Sequence, residues 1–177
     1  MSRQYFSDIN AESPIAALTA VTATSETKLW DVATYTPIHA YEGKVGKMWE
    51  LMACGIISFT STSTLVVTPR IGTTTSGITL GVSPTQNGPG STVTNSPFLL
   101  TGLLIQQTMG AAGNNSNYFF TGTLECNGTT SQAGWQVAFG GTVAVADWTI
   151  ETGLFLGITW TNPGTITPST IKWQSLN

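Results

Sequence analysis

Residues 47–59 read Lys-Met-Trp-Glu-Leu-Met-Ala-Cys-Gly-Ile-Ile-Ser-Phe. In an extended chain successive side chains point to opposite faces. Trp49, Leu51, Ala53, Gly55, Ile57 and Phe59 then share one face, and Met48, Glu50, Met52, Cys54, Ile56 and Ser58 the other. The first set is the more apolar and marks a long strand with that face buried. From Lys28 onward the same period of two recurs, and helical spacing never holds for three turns.

On the C-terminal side, Ser61–Ser63 offers a turn into Thr64–Ile71, where Leu65, Val67 and Ile71 alternate with Thr64, Thr68 and Arg70, so the two strands are expected to form a hairpin. Residues 72–97 are rich in Thr, Gly, Ser and Pro, and Asn87-Gly-Pro-Gly90 demands a turn. Phe98–Gln107 is almost continuously apolar, as a strand covered on both faces is. Asn117–Cys126, Gln136–Ala146, Gly153–Thr161 and Thr170–Leu176 alternate again. Gly140-Gly141 marks a bend or bulge within the second of these. With short pieces at Lys28–Trp30 and Tyr35–Ala40, the sequence predicts an all-β, jelly-roll-like β-sandwich of about eight strands. Residues 26–177 are expected to form that single domain, and 1–25, with only isolated apolar residues, an N-terminal arm.

Only 8% of the 177 residues are charged, against roughly a quarter in an average soluble protein. Thirty-one threonines take much of their place, and no Lys or Arg occurs between Ile71 and Ile171. Such a surface lacks the usual protection against self-association. A net charge of −3 with no basic cluster argues against a nucleic-acid partner. No stretch approaches the length of a spanning apolar helix and the first residues lack an apolar signal core, so no membrane partner and no processing are expected.

Chemistry is scarce. The single histidine, His39, would have to serve any Ser-His-Asp or Cys-His site alone, and no Gly-x-Ser-x-Gly turn accompanies it. No Cys/His pairs and no Asp-x-Asp spacing suggest zinc or calcium. Glu125, Asp147 and Glu151 are the only acids after Glu50, and a carboxylate pair for glycoside hydrolysis would have to come from them. Gly72–Gly77 carries no phosphate-loop Lys. The expectation is a binding protein without catalytic residues, cofactor or metal. Cys54 and Cys126 are read as buried free thiols, with a disulfide open as the alternative. Trp49, Trp160 and Trp173 fall on apolar strand faces, whereas Trp30, Trp135 and Trp148 fall near strand ends or turns and are the candidates for stacking on a sugar.

Four segments carry a resemblance: Ala17–Trp30 (Ala-Leu-Thr-Ala-Val-Thr-Ala-Thr-Ser-Glu-Thr-Lys-Leu-Trp), Tyr35-Thr-Pro-Ile38, Leu65–Gly72 (Leu-Val-Val-Thr-Pro-Arg-Ile-Gly) and Trp173-Gln-Ser-Leu-Asn177. In their order the chain resembles single-domain jelly-roll virion proteins of tailed bacteriophages and their prophages. The resemblance implies a structural component of the particle, made in the host cytoplasm: a capsid decoration (cement) protein bound to the major capsid protein, or a tail or baseplate part. It also implies a homotrimer. In a cement role the arm would grip the shell or a neighbouring subunit, with Tyr5, Phe6 and Ile15 as apolar anchors. The alternative is a carbohydrate-binding module for host attachment, using Trp30, Trp135 or Trp148.

Overall fold

A computed structural model describes residues 9–12, 18–81, 83, 85–87, 92–111, 115–126, 135–162 and 164–176, with backbone alone at 9–12, 86–87, 115, 135, 137 and 143–146. The elements in chain order are β1 (Ile9–Glu12), β2 (Thr27–Lys28), α1 (Val32–Tyr35), β3 (Pro37–Ile38), β4 (Met48–Phe59) and β5 (Thr64–Ile71). There follow β6 (Ile78–Thr79), β7 (Gln86–Asn87), β8 (Val93–Gln106), β9 (Asn115–Cys126), β10 (Trp135–Asp147), β11 (Thr152–Trp160) and β12 (Gly164–Ser175). They build an all-β sandwich of two antiparallel sheets, as the alternation predicts. The larger sheet runs β1-β12-β4-β8-β9-β10 and the smaller β2-β11-β5-β6, with β3 also on β11 and β7 on β5.

The expected β4–β5 hairpin does not form a ladder. The two strands lie in opposite sheets, joined by a turn in which the Ser63 N–H donates to Thr60 O (3.1 Å). The apolar faces of both strands are inward, so pairing them in one sheet would leave the core without a second layer. Between the sheets lie Trp49 and Trp173, stacked with centroids 6.4 Å apart and planes 4° from parallel, and Phe120 on Phe139 at 5.9 Å. Each such aromatic buries about 150–250 Å², worth roughly 4–6 kcal/mol of transfer free energy. The Trp173 Nε1–H donates to Pro37 O (2.8 Å), which ties β12 to β3 and satisfies a buried polar group.

Described stretches of the segment before residue 26 lie against the larger sheet. Ile9–Glu12 adds an edge strand to β12, the Leu18 N–H donates to Pro168 O (2.9 Å), and the buried Val21 bridges Ile166. These described stretches run along the sheet edge, where β12 would otherwise leave its N–H and C=O groups unpaired.

Glu26 then leads the chain across to the smaller sheet. Its carboxylate passes over Gly157, where a Cβ would lie 2.0 Å from Glu26 Oε1, and grips the Arg70 guanidinium in a two-pronged pair of 2.6 and 2.7 Å. At the other margin of the sandwich, Gly140 (φ +144°) bends β10 toward Gly81, so close that a Cβ on Gly81 would stand 2.3 Å from Gly140 O. The ladder irregularity of β10 itself falls later, between Ala144 and Ala146.

Candidate functional site

The pleat that buries Leu51, Ala53 and Ile57 turns Glu50, Met52, Cys54 and Ile56 outward on β4. By the ladder registers, Leu99, Thr101, Leu103 and Ile105 of β8 share that face, as do Phe119, Thr121, Thr123 and Glu125 of β9 and Thr165, Thr167, Thr170 and Lys172 of β12. Met52, Ile56 and Leu99 are 42%, 43% and 41% exposed, so three large apolar side chains stand in water on one sheet face. Its charged side chains among the described residues are Glu50, Glu125 and Lys172. Threonines fill the space between, and Thr101 and Thr123 bond to each other across β8 and β9 (3.1 Å). A shallow hollow of about 500 Å³ opens among Glu50, Met52, Thr101, Leu103, Thr121 and Thr123.

Here the structure departs from the expectation for Phe98–Gln107. Phe98, Leu100 and Leu104 are buried, yet Leu99, Leu103 and Ile105 face outward and no layer of the described chain lies over them. The run is apolar on both faces, and the chain covers only one.

A second exposed cluster sits at one end of the sandwich, where the loops before β4, after β8 and after β10 meet. Tyr41 is 68% exposed and adopts φ 63°, a left-handed conformation rare for a bulky residue. Its N–H donates to Trp148 O (2.9 Å), and its ring meets the Trp148 indole edge-on at 5.3 Å. The Trp148 Nε1–H is held by Gly110 O (2.9 Å). Beneath the loop, Glu42 accepts from the His39 N–H (3.1 Å) and the Trp49 Nε1–H (3.1 Å), with Lys47 Nζ 3.7 Å away. The adjoining Tyr118 hydroxyl is fully buried and unpartnered among the described residues. Burial, then the negative charges of Glu42 and Asp147, push its pKa up to about 12.

Of the stacking candidates whose side chains are described, Trp148 is partly exposed in this way. Trp30 is corrected to a core residue, 4% exposed, its Nε1–H donated to Thr36 Oγ1 (2.9 Å) while Thr36 in turn bonds Leu154 O. Trp135 opens β10, and its side chain lies outside the described residues, as do Tyr5, Phe6 and Ile15. Cys126 is buried and Cys54 is exposed, neither in a disulfide, so the expectation of two buried thiols holds for one of them. Glu125 on β9 pairs with Gln136 at the start of β10, and Asp147 is the last residue of β10, so the two are not brought together. His39 and Glu151 approach at 3.8 Å on the exposed end, and no three His, Cys, Asp or Glu gather among the described residues. Tyr41 has no signal in the sequence, since its conformation is set by tertiary contacts.

Comparison with protein-family models, curated proteins and solved structures yields no match to this chain.

Proposed function

We propose that the protein is a structural component of a tailed-phage particle, a capsid decoration protein that works by being packed against other subunits. The observation that carries this reading is the outward face of the large sheet: Met52, Ile56 and Leu99 exposed in a field of threonines, with three charges among the described side chains. A free monomer with so little charge on such a face is prone to association, whereas an assembled subunit loses the liability when the face is covered. Burying these three side chains is worth roughly 1–2 kcal/mol each given how much of each is still exposed. The resemblance of the four sequence segments to phage jelly-roll proteins supplies the identity of the assembly. Counting the chain in purified particles by quantitative mass spectrometry tests it: hundreds of copies per particle are expected, and a handful would refute decoration.

One observation favours a second reading, a tail module that binds carbohydrate. Trp148 and Tyr41 present aromatic surface on loops already held in place, with His39 and Glu151 alongside to hydrogen-bond hydroxyls. A glycan array probed with the wild type and Tyr41→Ala decides it. Binding lost in the variant supports this reading, and an empty array with wild-type protein removes it.

A further inference from the structure

We infer that the loop of residues 41–46 closes over an internal water site, in which the Gln106 amide and the Tyr118 hydroxyl hold water between them at one end of the core. The site is independent of both functional readings above.

Its ground is where the unmet polar atoms fall. Four buried side-chain nitrogen and oxygen atoms lack a hydrogen-bond partner among the described residues. Three of them, Gln106 Nε2, Gln106 Oε1 and the Tyr118 hydroxyl, belong to residues directly opposite each other on β8 and β9. Both residues are 0% exposed, because alternation puts Gln106 on the buried face with Leu104 and Tyr118 on that with Phe120. Lys47 faces them from the chain entering β4. The Gln106 N–H donates to Lys47 O (2.9 Å), and the Lys47 side chain, 11% exposed, lies on the inward face with Trp49. Its Nζ is 3.7 Å from Glu42 Oε1, longer than a hydrogen bond, and 5.7 Å from the centroid of the Trp49 ring. That ring is in turn 6.4 Å from the Tyr118 ring. An amide, a hydroxyl and an ammonium thus gather at one end of the core with bonding capacity the described chain does not use.

Left bare, each buried orphan atom would cost roughly tenfold or more in the folding equilibrium, and the three together about a thousandfold. Water is the partner that fits. The charges of Lys47 and Glu42 offset each other, so what is unmet is neutral and both donates and accepts, as water does with its two to four bonds. Anything larger is kept out by the loop. Gly43 lies so close on the Gln106 amide that a Cβ there would stand 2.3 Å from Oε1, and Gly46, at φ 81°, turns its N–H to Gln106 O (2.8 Å). The same loop carries Tyr41 to the Trp148 carbonyl, so the water is the floor beneath the exposed aromatic pair and exchanges with bulk only when the loop lifts.

The test follows the field dependence of water-oxygen relaxation in isotope-enriched water on the full chain, together with urea denaturation, for the wild type, Tyr118→Phe and Gln106→Met. Water held under the loop gives the wild type a slowly exchanging component. Each variant takes away one side of the site, so each should lose amplitude worth at least one water and lower the folding equilibrium constant by about tenfold. Should Gln106→Met fail to fold, Tyr118→Phe carries the test alone, since it deletes a single oxygen. Unchanged relaxation in Tyr118→Phe overturns the site. So does folding as tight as the wild type or tighter, which is what deleting a bare buried oxygen produces.

Discussion

Replacing Arg70 with methionine removes a charged clamp between the chain leaving the sheet edge and the smaller sheet. Arg70 makes four hydrogen bonds: two to the Glu26 carboxylate (2.6 and 2.7 Å), one to Gly77 O (2.8 Å) and one to Thr79 Oγ1 (2.6 Å). Its side chain is 18% exposed and that of Glu26 23%, between the surface case and the buried one. Exposed pairs are worth about 0–1 kcal/mol and breaking a buried one costs about 3–5, so a loss of about 2–3 kcal/mol is expected here. For a chain of this size that is a fall in melting temperature of about 5–10 °C. The hydrogen bonds that Arg70 donates to Glu26 raise its pKa further above the ordinary value, outweighing burial, so the guanidinium stays charged throughout the working range. Urea denaturation of wild type, Arg70→Met, Glu26→Gln and the double variant gives the coupling directly, expected at about 1.5–2 kcal/mol. A coupling near zero, or Arg70→Met within about 0.5 kcal/mol of wild type, would refute the clamp.

The Tyr118 phenol should ionise at about 12, visible as a late step in phenolate absorbance that Tyr118→Phe abolishes. Because the folded value lies above the ordinary 10.0, the associated stability is whole below pH 10 and is lost as pH rises through 12, on the order of 2–3 kcal/mol. Gly140→Ala places a Cβ 2.2 Å from Phe120 O at φ +144°, and a loss of at least about 2 kcal/mol in chemical denaturation is expected. Cys54 should react with a thiol reagent in the native protein. Cys126, whose pKa burial raises against the opposing contact from Ser96, should react only on unfolding, so two thiols modified at equal native rates would contradict the burial assigned to it.

What could be read from the sequence was whatever depends on a strand's own period. The faces of β4 and the core placement of Trp49, Trp160 and Trp173 follow from alternation alone. What depended on distant partners could not be read. Trp30 looked terminal because Thr36 and Leu154, which accept its N–H, come together only when β11 docks. Val21 looked like part of an arm because its partner Ile166 is 145 residues away. The doubly apolar run of β8 was legible as needing two covers, and the missing one became visible only once the chain had supplied the other. Tyr41 illustrates the opposite limit, an exposed residue held in a rare conformation by the Trp148 carbonyl and the Glu42-braced loop.

The most direct measurement takes a variant with Met52→Lys, Ile56→Glu and Leu99→Lys together, positions that are each exposed on the outward face. Its circular dichroism and melting temperature establish that the sandwich is intact, and quantitative mass spectrometry of particles assembled with it counts the copies retained. If that face is where the protein is packed, the folded variant is lost from the particles by at least 100-fold relative to wild type. A folded variant retained at the wild-type copy number would contradict it.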